Sequence, residues 1–549
     1  MRSAMPRLVA LAIIPFSIYG CSKKQADPPQ PKPTEAAVIP APKGLVAELV
    51  LPNPGETWAK VRTAMGGPLT MLPAHGGVLA TTAFDLPPTA AELFDVNLPA
   101  VGAVIEDEGR YAAVLAFHVK DGPKLAELAT TGDYGRYVKK PDAESGIVLL
   151  EPKEAVPGPA LGVAGNYLTV ASRSSDLTRF APFVTKVLST RPAPKEDVVA
   201  LVPPKSLTHI TSLLKEQWEA MSSQVTLSFS NGSKILDKVN YVFDYMSSLE
   251  DGRIALSLED GLAHVLVEAT YKAGSKQGEA LAKAPKGDAK ALLELPAQSV
   301  IAVLFRENKE ARHEAVTEGL AALEGIEPAQ KQKIDEVLRA FADSRGETVT
   351  VGVIRKNDKF AFVAKGQVEN EEAFKKAVPE LLKTLQVPGV AQSVETFIGP
   401  FQLEKTSAQG AVHSARLTRK TAPTTTFVRI DPESLPTQLD IVWEVRDSAF
   451  FAAADNSKDV KKTLTAIKGA ESKLADTPHV AKLVNDLQGD VAFAFLINFH
   501  GVDDATDKPN PDKAPVLFTA GRLEGNKGFV RLDMPQSGLR DIAMMASGL

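Results

Sequence analysis

A strand, a tight turn and a second strand, usually followed by an amphipathic helix, recur four times along this chain. The copies begin at Val101 ("VGAVIEDEGRYAAVLAFHVKDGPKLAELA"), Arg253 ("RIALSLEDGLAHVLVEATYK"), Thr348 ("TVTVGVIRKNDKFAFVAKGQV") and Val491 ("VAFAFLINFH", an insertion, then "APVLFTAGRLEGNKGFVRLDM"). Glu-Asp-Glu-Gly, Glu-Asp-Gly and Lys-Asn-Asp between the paired runs are hairpin chemistry. The runs themselves alternate or are continuously apolar, as strands half or fully buried in a sheet are.

Two further patterns recur. "GNYLTVASRSSDLTRFAPFVTKVL" from Gly165 matches "DSAFFAAADNSKDVKKTLTAI" from Asp447: an apolar strand, then a Ser or Asn cap opening a helix. A short strand running into a Pro turn appears as "ELVLPNPGETW", "ALVPPKSLTHI", "LELPAQSVIAV" and "VRIDPESLPTQ". Stretches 206–250 and 309–344 read as helical, with Ile334, Val337, Leu338 and Phe341 at the i, i+3, i+4, i+7 spacing of one apolar face. The four strand pairs are unevenly spaced, whereas a solenoid needs a fixed short period. The pattern predicts an α+β fold of duplicated units, antiparallel sheet with packed amphipathic helices, in halves 44–290 and 291–549. It further predicts that strand 112–119 is equivalent to 359–366, and 167–171 to 450–454.

The formal net charge is −5, and −7 without the first twenty residues, which hold Arg2 and Arg7 and no acid. That balance argues against nucleic acid, which demands concentrated Lys and Arg. Aromatic residues make up 6% of the chain, with Trp58, Trp218 and Trp443 the only tryptophans, so extended stacking surfaces are not expected.

Cys21 is the single cysteine in 549 residues. Arg2 and Arg7 form a positive start, and residues 8–18 ("LVALAIIPFSI") are apolar. Eleven residues containing Pro15 are too few to span ~30 Å of hydrocarbon but suit the core of a signal peptide. The junction Ile18-Tyr19-Gly20-Cys21 resembles the lipobox of bacterial lipoproteins. The resemblance implies that 1–20 is removed, that Cys21 is diacylated and that its new amino group is acylated. Two or more acyl chains anchor stably where one does not. Ser22, rather than Asp, after the lipidated cysteine implies sorting to the outer membrane. Residues 21–43, with six prolines, then read as a stiff tether in extended polyproline form. The remainder resembles uncharacterised bacterial envelope proteins with repeated α+β units, a resemblance that brings no activity with it.

No catalytic, cofactor-binding or metal site is predicted. The histidines (His75, His118, His209, His264, His313, His413, His479 and His500) lack metal-ligand spacing, and those in apolar strands are expected to be hydrogen-bonded and half-buried. Ser212-Leu213-Leu214-Lys215 matches Ser-x-x-Lys without its companion motifs and reads as helix surface. Gly66-Gly67 and Gly76-Gly77 read as turns lacking the helix start that phosphate binding requires. Asp503, Asp504, Asp507, Asn510 and Asp512 lack the Gly and Glu of an EF-hand and read as a solvated loop. The expectation is a non-catalytic envelope lipoprotein, attached to the membrane through Cys21, acting as a binding or structural module. The alternative is a carrier or sensor of an apolar ligand held between sheet and helices.

Overall fold

The computed structural model describes residues 39–536 except 66–69, 133–134, 143–144, 154–157, 205, 213, 217, 219–242, 324–325, 357–358, 388–389, 391–400, 420–437, 456–459, 470–471 and 499–514. Cys21, the tether, His500 and the Asp503–Asp512 cluster lie outside the described residues. The chain forms two compact units. Unit 1 is 1–278 with 534–549, and unit 2 is 279–533. This division falls twelve residues before the predicted boundary at 290/291.

Unit 1 contains β1 (Leu45–Leu51), β2 (Ala100–Asp107), β3 (Arg110–His118), β4 (Tyr137–Asp142), β5 (Ile147–Pro152), β6 (Ala160–Ala164), β7 (Tyr167–Ala171), β8 (Val198–Val202), β9 (Leu249–Glu259) and β10 (Leu262–Tyr271). Every pairing among them is antiparallel, and they lie in the order β10-β9-β8-β1-β2-β3-β7-β6-β5-β4. Unit 2 contains β11 (Ser299–Arg306), β12 (Arg345–Lys356), β13 (Lys359–Val368), β14 (Phe401–Gln409), β15 (Val412–Arg419), β16 (Gln438–Arg446), β17 (Ala449–Asp455), β18 (Asp490–Ile497), β19 (Val516–Arg522) and β20 (Lys527–Pro535). Their order is β20-β19-β18-β11-β12-β13-β17-β16-β15-β14, again antiparallel throughout. Renumbered within each unit, the two orders are identical. The units are duplicates, and β3 with β13, and β7 with β17, hold equivalent places.

The turns that close these hairpins use residues suited to left-handed backbone. Glu108 and Gly109 (φ 52° and 76°) join β2 to β3, and Asp260 and Gly261 (φ 51° and 78°) join β9 to β10. Asp447 and Ser448 (φ 53° and 57°) do the same between β16 and β17. Such two-residue loops match the twist of the strands they connect.

Two readings of the repeats need correction. "VAFAFLINFH" is β18, which pairs with the following strand β19 as expected and also with β11, but the counterpart of β9–β10 is β19–β20, so the fourth copy stands one strand out of step. The strand-into-Pro motif stands at three inequivalent places, as β1, as β8 and before β11, so there it is common local grammar; its fourth copy lies outside the described residues.

Helices cover the sheet from both sides. In unit 1 these are α1 (Pro54–Met65), α2 (Gly76–Ala83), α3 (Gly122–Thr130) and α4 (Ser174–Lys186). α4 buries Leu177, Phe180 and Val184 against Ile105, Ala112 and Val114 on one face. α3 buries Leu125 and Ala129 against Leu150, Leu161 and Leu168 on the other. Helix α5 (Lys276–Ala282) stands at the boundary between the units. Unit 2 has α6 (Lys309–Ala322), α7 (Pro328–Ser344), α8 (Glu371–Thr384), α9 (Val460–Lys468) and α10 (Pro478–Asn485). There α9 takes the place of α4, and α8 takes the place of α3, with Phe374 packed on Phe450, Val445 and Val368. Asp121 and Asn370 cap α3 and α8 through their side chains, accepting from Lys124 N–H at 2.9 Å and Ala373 N–H at 3.0 Å. The Ser cap expected before α4 is absent: Arg173 stands at the N-cap without a side-chain bond. The buried Asp176 in the first turn instead receives both guanidinium arms of Arg110, one at 3.0 Å.

Candidate functional site

The residues singled out in the sequence are dispersed. Trp58 is buried and donates to the Pro73 carbonyl at 2.9 Å. Trp443 is buried and stacked on His413, with ring centroids 5.5 Å apart. Trp218 is half-buried. Ser212 and Lys215 are exposed helix residues. Gly76 and Gly77 do start a helix, contrary to expectation. A Cβ on Gly77 would collide with the Ala91 carbonyl, so its glycine serves close packing and the helix start is occupied by protein. Gly66-Gly67 lies outside the described residues.

His118 is half-buried with its ring edge-on to Tyr167 at 5.3 Å. Its Nδ1 has no partner, unlike the hydrogen-bonded role expected, and burial holds its pKa below the ordinary histidine value. His209 meets Glu106 at 3.1 Å. No group of three or more metal-ligating side chains occurs among the described residues. No helix among them is long and apolar enough to cross a membrane.

A polar cluster joins α6 to α7. Asp343 accepts from Lys309 Nζ and His313 Nε2, both at 2.8 Å, and the Lys309 bond, then the His313 bond, holds its carboxyl below the usual range. Arg339 Nη1 lies 2.9 Å from His313 Nδ1. Arginine only donates, so Nδ1 accepts and the imidazole proton sits on Nε2. Thr317 Oγ1 takes a second Arg339 arm and donates to the His313 carbonyl. The hydroxyl is committed on both sides, and the cluster ties two helices together. An open groove of about 600 Å³ beside it is lined by Leu320, Ile326, Gln332 and Asp335.

A different surface stands out on the face of the sheet that α3 and α8 cover only in part. Past β13 in unit 2, side chains on this face form three rows perpendicular to the strands. They read Phe362-Val353-Ile301-Ile497-Val516, Ala364-Val351-Val303-Phe495-Phe518-Leu532 and Gly366-Val349-Phe305-Phe493-Ala520-Val530. None of these positions carries a polar atom in its side chain. Phe305, Phe362 and Val530 are 39%, 44% and 36% exposed, and the other residues of β11, β18 and β19 in the rows are half-exposed. Phe493 links Phe305 and Phe518, at centroid distances of 5.4 and 6.0 Å, into an aromatic ridge across three strands. Neighbours in the chain that point to the other face, Ala302, Leu304, Ala494 and Leu496, are fully buried.

Unit 1 presents the equivalent face with smaller side chains. Its central row is Leu115-Gly102-Leu49-Ala200-Ile254-Val267, with Ile254 46% and Val267 38% exposed. Beside it, Leu49, Leu51, Leu115, Phe117 and Val198 line an apolar dent of about 50 Å³, far below the ~300 Å³ at which ligand pockets begin. Sequence reasoning missed both faces. Its signal for β11 and β18 was a continuous apolar run, which reads as burial on both sides.

The fold and these faces define a class: a duplicated α+β protein whose sheets each keep one apolar side partly exposed among the described residues. No family model matches the chain, and no curated protein matches it. Among solved structures, crystal forms IV and I of TP0453 are similar at 11% identity and a TM-score of 0.21, covering 48% of this chain and 99% of TP0453. Crystal form III is similar at the same identity and score, covering 47% and 97%.

Proposed function

We propose that this chain is an exported cell-envelope protein, anchored through lipid on Cys21, whose body is a non-catalytic binding module. The observation that carries the binding role is the open sheet face of unit 2, apolar at every position of three rows. Water gains nothing from such a surface, and covering it is favourable at about 25 cal/mol per Å². An apolar ligand held between sheet and helices has less support, because that layer is filled by buried side chains such as Ile105, Val114 and Leu177. The anchor rests on the positive start, the short apolar stretch and the Ile-Tyr-Gly-Cys junction.

Two measurements test the two parts. Cys21→Ser should abolish labelling by an alkyne fatty acid and release the protein from membranes; a variant that labels and fractionates like its parent removes the anchor. Binding of a hydrophobic dye should fall in Phe305→Thr, which places a hydroxyl on the open face at a strand-compatible residue. Dye binding equal to the parent's would show that the face is not the binding surface.

A further inference from the structure

Resting on the open face as the binding surface, we infer that its occupant in unit 2 is hydrocarbon: the acyl chains of a membrane phospholipid. Three observations favour this over a protein partner. First, the face offers nothing for a protein to hydrogen-bond. Its side chains are Phe, Val, Ile, Leu, Ala and Gly, and the backbone groups of β11, β12, β18 and β19 are taken up by antiparallel ladders. Protein interfaces carry about one hydrogen bond per 100–200 Å² and keep roughly a third or more of their area polar. Hydrocarbon requires neither.

Second, the size fits a chain and not a dimer. Six strands at ~4.8 Å spacing and three rows along them bound a face of at most about 24 by 14 Å, on the order of 300 Å², less the corner where Val349 and Ala364 pack against the Phe374 cluster. A stable protein interface needs about 800 Å² from each partner. One acyl chain, about half of a ~30 Å hydrocarbon core, is ~15 Å long and lies within this width. Third, the aromatic ridge Phe305-Phe493-Phe518 stands among the β-branched Ile301, Val303 and Val351, giving a ridged surface against which flexible methylenes can pack closely.

The experiment mixes the full-length chain with phosphatidylcholine vesicles bearing a photoactivatable diazirine in the acyl chain, and maps the cross-links. Cross-links should fall on β11, β18 and β19. Phe305→Thr combined with Phe362→Thr should weaken labelling about tenfold or more, while Phe305→Leu retains it. If the double variant fails to fold by circular dichroism, Phe362→Thr alone, at the most exposed Phe of the face, decides. Labelling that the variants leave unchanged, together with lost self-association in sedimentation, would overturn the acyl occupant in favour of a second copy while keeping the face as a binding surface. Variants that alter neither labelling nor self-association would overturn both the occupant and the binding role of the face.

Discussion

Unit 1 and unit 2 lay ten strands in one order, with a capped helix after the third strand and a second helix after the seventh. They differ where the sheet is bare. Unit 2 sets Phe305, Phe362, Phe493, Phe495 and Phe518 on its open face, and unit 1 sets Leu49, Leu115, Phe117, Ala200 and Ile254 on the matching strands. They differ also between the first and second strands, where unit 1 has α1 and α2 and unit 2 has the α6–α7 pair. The backbone ladder constrains strand order and register. A side chain that packs against nothing is free to change size, so divergence collects on the open faces and in the connections.

The largest expected effect tests whether the equivalence reaches the core. Leu125 and Phe374 each stand four residues after the cap of the helix following the third strand, and both are buried. Phe374→Ala should cost about 3–5 kcal/mol and Leu125→Ala about 2–5 kcal/mol, read by denaturant unfolding. Hydrogen exchange should place each loss in the unit that carries the substitution. A cost below ~1 kcal/mol at either position would break the equivalence.

A smaller effect sharpens the comparison at the helix starts. Asp121→Ala and Asn370→Ala should each destabilise by about 1 kcal/mol, because each removes the acceptor for an otherwise unpaired N–H. Ser175→Ala, in the first turn of α4, should stay within ~0.5 kcal/mol, since no side chain caps that helix. A Ser175→Ala loss equal to the other two would restore the cap that the sequence suggested.

The smallest effect is electrostatic. Asp490, at the start of β18, accepts from Arg522 at 2.8 Å and from Gly287 N–H at 2.9 Å, and the Arg522 bond holds its carboxyl below the usual range. A depressed carboxylate contributes stability in full above the ordinary Asp value of ~3.9, and loses it as pH falls through the lower folded value. Asp490→Asn should therefore cost up to about 1 kcal/mol at neutral pH. The variant and its parent should converge as the solution is acidified below about pH 4. A difference that stays constant with pH would mean that packing, not charge, sets the contribution of Asp490.

Much of the fold is legible because its causes are local. Glu108-Gly109 and Asp260-Gly261 carry the positive φ their turns require, and Asp121 and Asn370 announce the helices that follow β3 and β13. The strand-turn-strand order of both units follows from such signals. Where local chemistry was ambiguous the reading slipped. "VAFAFLINFH" looked like half of a hairpin and does pair with β19, yet it also takes β11 as a neighbour, with Leu304 against Ala494 across 190 residues. A serine after β7 looked like a cap, yet the chain puts Arg173 at that place and turns Asp176 onto Arg110.

By itself the amino-acid sequence determined where strands begin and turn, and that a duplicated antiparallel α+β fold results, since each depends on residues within a few positions of one another. Only the tertiary structure decided that β8 pairs with β1 and β18 with β11, and hence which side of those strands stays bare. A run such as Val300-Ile301-Ala302-Val303-Leu304-Phe305 is apolar on both sides of the pleat. Whether Ile301, Val303 and Phe305 are covered depends on where α7 and α8 end over the sheet, a matter of long-range packing that no spacing along β11 records.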